Sequence, residues 1–154
     1  MSRTYNRTDL IPHWLLCGLL VLLIIAYIVI CHVWGNQLHI DFEESNRILL
    51  RSILYSVTII LFPVVKLLRH IMLRLNQTMP GNMPADKRYL LTVVVTLLLI
   101  ESVGSFGFLL IIFGDSFNTL YIFSLLAALG IFLYRPKFSE YLSICHALDR
   151  NSIS

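Results

Sequence analysis

PHWLLCGLLVLLIIAYIVICHVW, Pro12 to Trp34, contains no Asp, Glu, Lys or Arg, and that uncharged length decides the fold. Trp14 and Trp34 stand about 20 residues apart, roughly 30 Å at helical rise, which is the thickness of a bilayer's hydrocarbon layer. Two indoles at that separation are expected to serve as membrane anchors at the two interfaces. Pro12 suits a first helical turn, where its missing N–H would have no acceptor in any case. Arg3 and Arg7 precede the run as they would in a secretory signal. The run is longer than a signal's apolar region and ends in no small-x-small cleavage site, so it reads as a retained signal anchor.

The rest of the chain has the same character. Of 154 residues 57% are hydrophobic and 14% charged, and the mean hydropathy is +0.77, beyond what a water-soluble core absorbs. Charges bracket apolar stretches, as between Arg51 and Lys66, Arg88 and Glu101, and Asp115 and Arg135. Helices are expected over about 46–75, 87–113 and 117–134, separated by GNQLHIDFEES (Gly35 to Ser45), NQTMPGNMPAD (Asn76 to Asp86) and the tight turn Gly114, Asp115, Ser116. Pro63 is expected to kink the second helix, and Arg135, Pro136 and Lys137 to stop the fourth. In the tail, Phe138, Tyr141, Leu142, Cys145 and Leu148 follow an amphipathic spacing, suited either to an interfacial helix over 138–149 or to a frayed end.

Cations give the orientation. Arg3 and Arg7, then Lys66, Arg69, Arg74, Lys87 and Arg88, then Arg135, Lys137 and Arg150 flank the N-terminus, the 76–86 connection and the C-terminus. The other two connections hold none, apart from Arg47 and Arg51 in the first turns of the second helix. The expected fold is an all-α integral membrane four-helix bundle of two antiparallel helical hairpins, one transmembrane domain over residues 1–154, with both termini cytoplasmic. The brevity of the loops points to the inner (plasma) membrane of a bacterial cell.

Glu101 is the side chain that most invites a role, because a charge in the middle of an apolar helix costs on the order of 3 kcal/mol by insertion scales. It shares a face with Val94, Leu97, Gly104, Ser105, Phe108 and Ile112, expected to point into the bundle. Tyr55, Ser56 and Thr58 come to a similar depth on the second helix, and the long arm of Arg51 is a candidate partner. Glu101 is then either an acid that binds and releases a proton or cation, or a structural acid, mostly protonated or paired with Arg51, that holds helices in register.

The stretch LLLIESVGSFGFLLIIFG, Leu97 to Gly114, resembles the carboxylate-bearing helix of the proteolipid c subunits of rotary ATP synthases. That resemblance implies an ion-binding role for Glu101 alone. A c subunit pairs this helix with a glycine-rich one, whereas Gly18 is the only glycine within 12–34 and 46–75. The overall arrangement also resembles small bacterial four-helix inner-membrane proteins with an acid in the third helix.

Other groups carry less. Cys31, His32, His39 and Asp41 could offer a metal nitrogen, sulfur and oxygen donors, but their spacing fits no zinc pattern and solvated loop residues explain them, so no metal or cofactor is expected. No nucleotide-binding, hydrolase or metalloprotease signature occurs, and basic residues are not interleaved with aromatics as nucleic-acid binding requires. The expectation is a non-enzymatic protein, a structural or accessory subunit of a membrane assembly or a homo-oligomer. Gly104 with Ser105 and Ser124 with Ala128 are the expected association faces, and the bilayer and other membrane subunits, or copies of itself, the partners. The alternative is a proton- or ion-translocating protein using Glu101.

Overall fold

A computed structural model describes residues 7–38, 40, 42–78 and 83–151. Among them the chain is helical: a 3-10 turn at Arg7–Leu10, then α1 (Ile11–Leu38), α2 (Glu44–Thr78), α3 (Ala85–Ile112), α4 (Phe117–Leu133) and α5 (Phe138–Asn151). Three of these, α1 over Ile11–Gly35, α2 and α3, are long and apolar enough to cross a membrane; α4 and α5 pass the same test only together, bent by 44° at the break between them. By itself α4 has 17 residues.

Local chemistry explains the ends. Pro84, with φ −65° and ψ 152°, stands before α3, where a missing N–H costs nothing. At the other end Gly114 adopts φ 81°, a left-handed conformation that suits glycine. Its N–H bonds Ile111 O at 2.9 Å and the Asp115 N–H bonds Leu110 O at 3.0 Å, so two final carbonyls of α3 are satisfied within the turn. Tyr134 closes α4, donating its N–H to Gly130 O at 2.9 Å before the Arg135–Pro136 break. The second helix runs unbroken through Pro63.

The centre of the molecule is α3, which packs against α1, α2, α4 and α5. Half of its apolar window is buried, against 22% for α1 and 11% for α2, so α3 is interior and the two preceding helices are peripheral. The expected single inward face was therefore too narrow: Tyr89, Val93, Ile100, Val103 and Leu110 are buried along with Leu97, Glu101 and Gly104. α1 and α2, consecutive in sequence, share no extended interface, because α1 lies on α3 and α4 while α2 lies on α3 and α5.

Small residues let α3 and α4 approach closely. A Cβ added at Gly107 would stand 2.8 Å from Phe123 Cβ and 3.3 Å from Leu120 O, and one at Gly130 would stand 2.5 Å from Ile100 Cγ2. Gly104 meets Ala127 in the same seam, and Ser124 is buried there, so the expected association faces on these helices are largely used within the chain. The tail helix also differs from a free surface helix. Tyr141, Ile144 and Cys145 are buried against the main core, and α5 rests on α2 and α3.

Candidate functional site

Two polar regions bound the apolar interior, and Glu101 lies between them. At one end the first connection and the α3–α4 turn come together: the Ile40 N–H bonds Ile112 O at 2.8 Å, and Arg47 Nη1 donates to Gly114 O at 2.9 Å. One turn on, Arg51 Nη1 donates to Asp115 Oδ1 at 3.2 Å, an ion pair whose acid is buried and whose arginine is 38% exposed. Arg51 is thereby committed to Asp115, and the expected pairing with Glu101 is not made. The structure instead ties the first turns of α2 to the far loop, because the guanidinium reaches along the helix surface toward the turn rather than into the apolar seam.

Glu101 is buried at 5% exposure, and neither carboxyl oxygen has a hydrogen-bond partner. Its surroundings are apolar: the adjacent Gly104 position is closed by Ala127 Cβ of α4 at 3.4 Å and Ile24 Cγ1 of α1 at 3.5 Å, with Glu101 Oε1 at 3.6 Å from the same point. The Ser105 hydroxyl lies 3.3 Å from Tyr27 OH of α1 and donates to the backbone carbonyl of Glu101 at 3.5 Å, not to its carboxyl. Tyr55 stacks on Phe123 at 4.7 Å between ring centres and offers Glu101 no hydrogen bond. Of the residues expected around Glu101, Gly104 lies beside its carboxyl, and neither Arg51, Tyr55 nor Ser105 hydrogen-bonds that carboxyl. Ser124, also buried with an unpartnered hydroxyl, precedes Ala127 by one turn, so the antiparallel seam sets it on the opposite side of the Gly104–Ala127 contact.

At the other end Arg69 is the organiser. Buried to 6% exposure, it donates through Nη1 to Tyr134 O at 2.7 Å and through Nη2 to Glu140 Oε2 at 2.7 Å and Arg135 O at 3.4 Å. One guanidinium thus satisfies a terminal carbonyl of α4 and the carboxylate of α5. Tyr89 of α3 joins them: its hydroxyl accepts the Lys137 N–H at 2.7 Å and stands 3.1 Å from both Lys137 O and Glu140 Oε2, either of which can take its proton. His13 of α1 packs its ring 5.1 Å from that of Tyr89. Beside this cluster, Asn76 donates to Arg88 O and Thr92 Oγ1 while Arg88 donates to Asn76 O and Met83 O, a reciprocal clasp between α2 and α3.

In the sequence Arg69 is one of several cations, and no spacing singles out Tyr89, Glu140 or His13. A usable signal existed in Arg69, since it continues the i, i+4 stripe of Leu61 and Val65 and a buried guanidinium requires acceptors.

His32 is engaged through both ring nitrogens, Nδ1 with Ile28 O at 2.8 Å and Nε2 with Tyr121 OH at 2.9 Å. The carbonyl can only accept, so Nδ1 carries the proton and Nε2 receives the tyrosine hydroxyl. Both ring nitrogens of this metal candidate are thus hydrogen-bonded within the protein. The other candidates for that role, His39 and Asp41, lie outside the described residues. No group of three or more potential metal-binding side chains occurs among the described residues. Trp14 and Trp34 are about half exposed near the two ends of α1.

Against known protein families, characterised proteins and solved structures, the chain matches none.

Proposed function

We propose that this chain is a non-enzymatic integral membrane protein of the cell's inner membrane, with both termini and the 76–86 connection in the cytoplasm, acting as a structural or accessory subunit that docks another membrane helix. The observation that carries this reading is the open face of α2. Leu54, Thr58, Leu61 and Val65 turn inward, and on the opposite side Ser45, Ser52 and Ser56 fall within about 40° of one another at 100° per residue. Ser52 and Ser56 donate their hydroxyls to carbonyls one turn earlier on α2, at 2.9 and 3.0 Å. Their outer surface is small and free of unmet polar groups. With Ile48, Leu49, Ile53, Val57 and Ile60 they line a shallow groove, the small-residue spacing on which membrane helices associate.

The test is disulfide trapping in native membranes. Ser52→Cys and Ser56→Cys are expected to cross-link to a partner or a second copy under mild oxidation, while Leu125→Cys, 71% exposed on α4, is not. Equal trapping at all three positions, or none at any, refutes the proposal.

A second reading is supported by Glu101 itself, a buried acid with two unpartnered oxygens. In that reading it takes up and releases a proton or cation. Proteoliposomes with the native chain are then expected to sustain a flux that Glu101→Gln abolishes, and carbodiimide to label Glu101 selectively. Absence of flux, or flux unchanged by the substitution, ends that reading.

A further inference from the structure

The corner where α4 ends and α5 begins forms, with α2, a groove of about 580 Å³ whose lining is of two kinds. Lys66, Arg69, His70 and Lys137 supply nitrogen donors; Pro63, Leu67, Leu73 and Leu133 supply an apolar wall. Arg69 is offset by Glu140 at 2.7 Å, whereas Lys66 and Lys137 form no ion pair among the described residues. The groove therefore keeps two uncompensated cations and a histidine. Leu67 and Leu133, 60% and 56% exposed, lie among them where an apolar helix gives way to its polar end.

A soluble anion would use the cations and leave the leucines idle. A lipid would use both, since a phosphate diester sits at the depth where helices end and its acyl chains continue along their apolar flanks. The volume falls within the range of about 300–1,000 Å³ common to small-molecule sites. We propose that this groove binds the headgroup of an anionic phospholipid, with Lys66 and Lys137 on its phosphate and Leu67 and Leu133 beneath its acyl chains. Arg69 acts at one remove: by holding Tyr134 O and Glu140 it fixes the corner that presents Lys137. The proposal rests on the chain being in a membrane but not on helix docking through α2, so failed cross-linking there leaves it intact.

The experiment uses the full chain purified in a neutral maltoside detergent and titrated with dioleoylphosphatidylglycerol, dioleoylphosphatidylcholine or inorganic phosphate, bound lipid being counted by native mass spectrometry. With each basic residue near an anionic headgroup contributing about five-fold, phosphatidylglycerol is expected to be retained at least about ten-fold over phosphatidylcholine. Lys66→Gln with Lys137→Gln should bring the two lipids to parity, and Lys87→Gln, a lysine outside the groove, should not. Neither lysine head makes a hydrogen bond in the described structure, so the double variant keeps the fold's contacts, and the native protein's lipid ratio needs no variant at all. Equal retention of the two lipids by the native chain overturns the proposal, as does a preference that survives the double substitution. Displacement of phosphatidylglycerol by equimolar inorganic phosphate would assign the site to a free anion instead.

Discussion

Glycines at two positions and one acid set the packing of the interior. A methyl at Gly107 meets Phe123 Cβ and the backbone of Leu120, neither of which can swing aside. Gly107→Ala is therefore expected to destabilise the protein by about 1–3 kcal/mol through overpacking, whereas Gly18→Ala, with nothing within 4 Å, leaves thermal unfolding in detergent unchanged. Equal melting temperatures for the two variants would show that the α3–α4 seam is looser than described. Glu101 presents the opposite case, a polar group whose burial no hydrogen bond offsets. Glu101→Leu is expected to raise stability by about 1–3 kcal/mol. A fall in the same unfolding assay would mean that the carboxyl has a partner in the membrane.

Among the elements, α5 depends most on one contact. Arg69 and Glu140 are 7% and 21% exposed at their side chains, and removing one member of such a pair leaves the other charge buried. Arg69→Met is expected to cost about 3 kcal/mol and to open Phe138–Asn151 to protease, and adding Glu140→Gln should restore part of the loss. If the single variant leaves α5 as resistant as before, apolar packing of Tyr141 and Ile144 holds that helix without the ion pair. The existence, order and rough limits of the helices were legible in the sequence because uncharged runs, Pro136, Gly114 and the Asn76–Asp86 connection mark them. Which helix is central was not. Hydropathy reads α2 and α3 alike, and only the tertiary packing puts Tyr89, Ile100 and Leu110 under cover while leaving Ile59 and Ile60 exposed. The site was half legible: an apolar run does flag Glu101 as unusual. Arg51, a candidate partner of Glu101 by depth, pairs with Asp115, which competes for it from the loop side.

At the level of the whole molecule, the two polar ends differ in sign. Cations gather about the α2–α3 connection and the α4–α5 corner, while the opposite end carries Glu43, Glu44 and Asp115 alongside Arg47 and Arg51. By the cation asymmetry, reporters fused after Asn151 or inserted within residues 79–82 are expected to be active on the cytoplasmic side, and one inserted beside Ser116 on the other. Reversed activities would invert every assignment of side made above.

The helices are also unequal in reach. α2, with 35 residues, is roughly 52 Å long, and α4, with 17, roughly 25 Å, yet both belong to one packed body. A hydrocarbon layer of about 30 Å would fit neither, so in a bilayer the long helix is expected to lean or protrude while lipid beside the short one is expected to compress. For a chain that spans the bilayer as proposed, such inequality is expected to favour thinner surroundings, and in vesicles mixing short- and long-chain lipids its tryptophans should report short-chain neighbours in excess of their bulk share.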